Sequence, residues 1–156
     1  MKENNKIFLR NAKLSDAEKL YHWRNSDSVR KNSFSPNPIT YDEHLKWLKK
    51  ALKMPSRYIF IATLSAEDIG VTRLDITNNS AEISIYLAPN KISQGLGKPL
   101  LSATIYWCEN NLPNIKKLTA KILPENKRSQ KLFEKSGFTL QTLEYTKTIN
   151  GNNTYE

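Results

Sequence analysis

Apolar residues in the first part of the chain recur at helical spacing, and in its middle at every second position, so the chain reads as a mixture of helices and strands. A short apolar run at residues 7–9 is a first strand. Ser15-Asp16-Ala17-Glu18 then has the Ser-x-x-Glu spacing in which two side chains satisfy the free amides of a helix start. The helix it opens carries Ala17, Leu20, Tyr21 and Arg24, and Asn25-Ser26-Asp27-Ser28 breaks it. In Pro36-Asn37-Pro38 each proline fixes its own φ and pushes its predecessor towards extended backbone, which forces a loop. Capping-box spacing returns at Thr40-Tyr41-Asp42-Glu43. The second helix that follows has Leu45, Leu48 and Leu52 on one side, His44, Trp47 and Ala51 beside them, and a stop before Pro55.

After Pro55 the period changes. Residues 58–64, 69–76 and 81–87 are rich in β-branched and aromatic side chains, and short turn-prone links at 65–68 and 77–80 join them into an antiparallel meander. In the third of these strands Ile83 and Ile85 face one way, and Glu82, Ser84 and Tyr86 the other. Beyond Pro89, Gly95 and Gly97 lead through Pro99 into an apolar helix with Leu100, Leu101, Thr104, Ile105 and Cys108; a proline in a first helical turn costs little. Residues 118–122 read as a strand, 126–136 as a short helix stopped by Gly137, and 138–149 as a last strand before a frayed tail at 150–156. The order is that of an α/β or α+β domain, taken as one domain over residues 1–156.

Composition narrows the partners. No stretch approaches the ~20 apolar residues of a membrane span and the start lacks a signal-peptide core, so a soluble, cytoplasmic protein is expected, with no membrane partner. The single cysteine, Cys108, allows no internal disulfide and no cysteine-based metal cluster, its neighbours suggest a buried helix position, and no metal is expected. A formal net charge of +9 suits nucleic acid, anionic lipid or a phosphate-rich small molecule, or is simply a solvated basic surface. The basic residues are dispersed and the aromatic signature of an RNA-binding sheet is missing, so no nucleic-acid partner is expected.

Two segments carry chemistry. In Ile92-Ser93-Gln94-Gly95-Leu96-Gly97-Lys98, glycines let backbone approach a ligand, successive amides can converge on an anion, and the helix that follows presents its positive end. That is the chemistry of a pyrophosphate cradle, although a lone Gly-x-Gly also merely turns a chain. The segment from Pro124 to Phe138 adds an Asn126-x-x-Ser129 pair on one helix side and a Gly137-Phe138 exit.

Together these segments resemble the Gcn5-related N-acetyltransferase (GNAT) superfamily, whose coenzyme A loop reads Arg/Gln-x-x-Gly-x-Gly/Ala and is followed by Asn-x-x-Ser and Gly-Phe. Loop, helix and Gly-Phe in that order, about 30 residues apart, are more specific than any one of them. Ala81-Glu82-Ile83 resembles the family's fourth strand, and Leu9-Arg10 with Asp16 its opening. The resemblance implies a central, mostly antiparallel sheet with two splayed strands, flanked by about four helices. It implies acetyl-CoA as cofactor, with amides of Ser93, Gln94, Gly95, Leu96, Gly97 and Lys98 on the pyrophosphate. Backbone around Tyr86, Leu87 and Ala88 would pair with the pantetheine arm, and Asn126 and Ser129 would touch the same cofactor. Three residues depart from the pattern. Ile92 replaces the usual Arg or Gln and Ser93 a common glycine, so affinity leans on Lys98 and backbone donors; Phe133 stands where many members have the tyrosine that protonates the thiolate, so that role does not transfer.

An amine attacks a thioester only when neutral, so the site needs a proton route and donors for the developing oxyanion. Glu82 is the first choice as base, usually through a water in this family, against the alternative of a solvent-facing strand glutamate. Tyr86, on the same face, is a candidate to protonate the thiolate or hold water, or else a packing aromatic. The first two helices form a lid over the acceptor side in the family. Trp23, Arg24, Asn25, Arg30, His44 and Trp47 are the substrate-binding candidates, since Arg forks bind diphosphate and rings stack on bases or sugars. Trp-Arg-Asn, Val-Arg and Glu-His-Leu resemble a GNAT branch that acetylates UDP-linked amino-dideoxy sugars of nonulosonic acid synthesis. The expected partner is therefore a small-molecule amine, a nucleotide-sugar, with a homodimer allowed. Rival readings are a ribosomal-protein-like N-terminal acetyltransferase, which the later half also resembles, and a non-catalytic acyl-CoA-binding module.

Overall fold

The computed structural model describes residues 6–147. Strand β1 (Ile7–Asn11) runs through a 3-10 turn (Leu14–Asp16) into α1 (Ala17–Asn25) and the single-turn α2 (Asp27–Arg30). After the proline loop comes α3 (Tyr41–Ala51), then β2 (Arg57–Leu64), β3 (Glu67–Thr77) and β4 (Ser80–Leu87). A 3-10 turn (Pro89–Lys91) precedes α4 (Gly97–Asn111), β5 (Lys117–Thr119) and α5 (Lys127–Lys135).

The strands form one sheet in the order β1-β2-β3-β4-β5, antiparallel throughout except for the parallel β4–β5 pair. Two tight links make the meander possible. Ser65 and Ala66 both take positive φ, 50° and 66°, and Asn78 does so at 53°, as two-residue hairpin turns require. Each face of the sheet buries against its own helices. Ile59, Ile61 and Val71 pack with Leu20 of α1 and Leu48 and Ala51 of α3. On the other face Phe60, Leu74 and Ile83 pack with Leu101 and Cys108 of α4 and Phe133 of α5. In the middle of that second face the Thr72 and Thr104 hydroxyls, both fully buried, satisfy one another 2.9 Å apart, and Thr104 also donates to the Leu100 carbonyl at 2.9 Å. Cys108 is buried here as expected, and burial pushes its thiol up to about 11.

The Thr40 capping box forms as read: the Thr40 amide donates to Glu43 Oε2 at 2.8 Å, and the Glu43 amide to Thr40 Oγ1 at 3.2 Å. The Ser15 box does not organise the first helix. Its N-cap is Asp16, whose carboxylate turns back to accept from the Lys13 amide at 2.8 Å and is gripped from both sides by Arg10, at 2.9 and 2.8 Å. The pair with Arg10 on β1 is bidentate and charged. The strand expected at 118–122 is paired only over Lys117–Thr119, and the last strand expected at 138–149 is not formed in 138–147, where the backbone has no ladder partner and Leu140, Leu143 and Tyr145 are exposed. Residues 148–149 of that expected strand, and the tail, lie outside the described residues.

Candidate active site

β4 and β5 part company after the Glu82–Thr119 pair. β4 itself continues to Leu87, still paired with β3. The Ala88 amide donates to the Ile69 carbonyl at 2.8 Å, which sets the alternation of this antiparallel ladder. Tyr86, Ser84 and Glu82, in phase with Ala88, spend their backbone groups on β3. Those of Ile85 and Leu87 point to the side that β5 has left. Leu87 therefore keeps a free backbone edge, whereas Ala88 does not: its carbonyl also accepts from the Lys91 amide at 2.8 Å. The expected backbone set of Tyr86, Leu87 and Ala88 shifts to Ile85 and Leu87, because pairing parity assigns every second residue to the neighbour.

That open edge leads to the segment between residues 92 and 98. Ser93 and Gly95 take left-handed φ of 65° and 74°, so the chain doubles back before α4. Leu96 is the N-cap of α4 and supplies no side-chain oxygen, and Pro99 has no amide to cap, so the amides of Gly97 and Lys98 stand without an intrahelical partner at the positive end of a 15-residue helix. Lys98 is exposed, and Gln94 folds back on the Asn90 carbonyl at 2.9 Å. Arg128 of α5 donates to Ser93 Oγ at 3.2 Å, bringing a guanidinium to the same loop. The sequence reading missed it, although its place next to the Asn126-x-x-Ser129 pair was a signal. Asn126 caps α5 by accepting from the Ser129 amide at 3.2 Å.

On the polar face of β3 and β4 the register sets Glu82 opposite Asp75, Ser84 opposite Arg73 and Tyr86 opposite Val71. Glu82, 32% exposed, has Lys121 Nζ at 3.3 Å. Asp75 is shared between Arg57 Nε at 2.5 Å and Arg73 Nε at 3.0 Å, the latter too poorly aligned to count as a hydrogen bond. The ring of Tyr86 packs against the cluster of Leu20, Leu48 and Val71, and burial pushes its phenol far up. It is thus a neutral hydroxyl that can donate. Phe133 is buried with its ring edge-on to Phe138 at 5.0 Å, and takes no part in proton transfer.

The lid candidates divide. Asn25 clasps Ile39 through both its amide atoms, at 2.9 and 3.0 Å, and Arg30 donates to the Pro36 carbonyl at 2.8 Å and lies 3.4 Å from Asp27. Those two residues hold the proline loop against α1 and α2, so the polar groups expected to grip substrate are engaged by backbone. Arg24 does both: Nη2 donates to the Ser35 carbonyl at 2.7 Å, while Nη1 is buried with no partner. Trp23 packs on the core. His44 is buried against Tyr21 and Trp47, with ring centroids at 5.9 and 6.0 Å. Burial lowers its pKa against a bond to the Ala17 carbonyl, leaving a neutral imidazole with Nε2 free to accept. Trp47 itself is 39% exposed.

Comparison with known proteins adds to this geometry. Residues 6–139 match the acetyltransferase (GNAT) domain family. Acetyltransferase PseH of Campylobacter jejuni is 30% identical over 127 residues, which is 80% of this chain and 78% of that protein. The crystal structure of the Campylobacter jejuni N-acetyltransferase PseH superposes with a TM-score of 0.69 at 25% identity, over 88% of this chain and 91% of the other. The spermidine N-acetyltransferase of Vibrio cholerae, solved with CoA and spermine, superposes at 0.80 with 21% identity, over 88% and 83% of the two chains; at that identity the likeness is one of fold.

Proposed function

Because the chain belongs to the GNAT acetyltransferase family, we propose that it transfers acetyl from acetyl-CoA to the amine of a small molecule, most specifically the amino group of a nucleotide-linked amino sugar. The observation that carries the reading is the parting of β4 from β5 after Glu82, which leaves the Ile85 and Leu87 backbone open on a line that ends at the uncapped amides of Gly97 and Lys98. From Glu82 to Leu87 that edge is about 17 Å long at ~3.3 Å per residue, room for an extended thiol arm between the phosphates and the reacting carbon.

The chain's own residues would work as follows. Amides at 93–98, with Lys98 and Arg128, hold the pyrophosphate, and Asn126 and Ser129 border the same cofactor. Backbone of Ile85 and Leu87 orients the pantetheine amides. Glu82 accepts the proton of the attacking amine, directly or through a water, with Lys121 Nζ 3.3 Å from its carboxylate. Tyr86 is a neutral donor on this face for the oxygen or sulfur that becomes negative.

Support for the sugar acceptor is the likeness to PseH together with the aromatic and cationic lining of the α1–α3 side. Purified protein with acetyl-CoA is offered a panel of UDP-linked 4-amino sugars, free amino sugars, spermidine and N-terminal peptides, with thiol release as readout. Release with the UDP-sugars is expected; turnover confined to peptides overturns the acceptor assignment, and coenzyme binding without any turnover overturns the enzyme.

A further inference from the structure

Between Glu82 and Tyr86, on the same face of β4, stands Ser84. β5 pairs with β4 only as far as Glu82 and Thr119, so Ser84 is the first residue of that face beyond the parting of the strands. It is half-buried, and its hydroxyl makes no hydrogen bond to any other described residue. The cations on either side are turned elsewhere. Arg73, opposite Ser84 on β3, points its Nε to Asp75 at 3.0 Å, and Lys121 Nζ lies 3.3 Å from Glu82. The backbone groups of Ser84 are engaged by β3, so its side chain is what it can offer to the open side.

We infer that the Ser84 hydroxyl holds the water through which the proton of the attacking amine reaches Glu82, which makes Ser84 a positioning residue of the acetyl transfer. The inference rests on the transferase reading above and on Glu82 as its base. Residues two apart on one face of a strand stand about 6.7 Å from each other, and a water with a hydrogen bond of about 2.8 Å on either side spans the gap between a short serine and a glutamate. The serine hydroxyl donates to the water oxygen, and the carboxylate accepts one of the water's hydrogens. That leaves the second lone pair of the water free for the amine. As the amine nitrogen bonds to the thioester carbon, its proton passes to this water and a water proton passes to Glu82. The carbon–sulfur bond breaks with its electron pair on sulfur, which takes up a proton from Tyr86 or solvent. One proton leaves nitrogen and one reaches sulfur, so the step balances without a further reactant.

Two measurements test it. In crystals of the protein, with or without coenzyme A, an ordered water is expected within about 3.2 Å of both Ser84 Oγ and a Glu82 carboxylate oxygen, and it should be lost in Ser84→Ala. No water bridging the two in wild type overturns the inference, whether or not an acceptor has been found. In single-turnover kinetics the probe is the UDP-linked 4-amino sugar or spermidine, whichever the wild type acetylates. Ser84→Ala should slow acetyl transfer by about 10–100-fold with the KM of acetyl-CoA unchanged. Ser84→Thr keeps the hydroxyl on a side chain suited to a strand and should recover most of the rate, which a merely structural loss would not show. A wild-type rate in Ser84→Ala, or no recovery in Ser84→Thr, overturns the inference. If Glu82→Gln is slow and Ser84→Ala is not, the base stands and only the water site falls; if neither is slow, the base falls with it. Coenzyme A binding with no turnover of any amine sinks the transferase, and the crystallographic water still decides the Ser84 site.

Discussion

Replacing Gly70 with alanine should loosen the strand that carries the coenzyme edge. Gly70 has no need of glycine's torsional freedom, since it is not among the positive-φ residues. Its constraint is space: a Cβ there would stand 2.5 Å from the Tyr86 carbonyl oxygen, 3.2 Å from Leu87 Cα and 3.4 Å from Leu100 Cδ2. Two of these contacts are backbone, so no side chain can rotate away, and β4 must move by about half an ångström or more. Overpacking of this kind costs about 1–3 kcal/mol, offset by roughly 0.4–1 kcal/mol from the lower entropy of an unfolded alanine. The net expectation is a loss of about 1–2 kcal/mol, visible as a lower midpoint in urea. The displaced residues are Tyr86 and Leu87, and Leu87 with Ile85 presents the open backbone groups. Two misaligned hydrogen bonds at about 1 kcal/mol each weaken coenzyme A by about 30-fold, measurable by calorimetry. An alanine variant that unfolds at the wild-type urea concentration and binds coenzyme A within twofold of wild type would refute the packing argument and the placing of the coenzyme along β4 together.

Three further outcomes are expected. Glu82→Gln should reduce kcat by about 10²–10⁴-fold and flatten its pH profile while coenzyme A affinity holds; unchanged kinetics would remove Glu82 from the mechanism. Thr104→Val strands the buried Thr72 hydroxyl, 2.9 Å from its partner, and should cost about 1–3 kcal/mol in chemical denaturation, with most of it recovered in the Thr72→Val/Thr104→Val pair; no recovery would mean that shape, not the hydrogen bond, matters there. The Arg10 guanidinium holds the Asp16 carboxyl below its ordinary range, so its stabilisation is complete above the unfolded value of about 3.9 and disappears as pH falls through the lower folded value. Asp16→Asn should therefore destabilise at neutral pH and flatten the acid limb below about pH 4. Parallel stability curves for the two proteins would show that Asp16 does not titrate with folding.

Much of this was written locally. The Thr40 capping box, the three meander strands, the glycine turn before α4 and the Asn126 cap each depend on residues a few positions apart, so side-chain chemistry and period alone place them. The burial of Cys108 followed from the same patterns. What needed the tertiary structure was competition between distant groups. Arg10 reaches six residues along the chain to fix Asp16 at the start of α1, where the sequence had offered Ser15 as the cap, and the proline loop absorbs Asn25 and Arg30 that local chemistry had offered to a ligand. Which amides of β4 remain open is likewise invisible in sequence, because it depends on the parity of pairing with β3 and on where β5 turns away. Short-range order can be read from neighbours along the chain; which polar groups are left unsatisfied can be known only once every other group has chosen its partner.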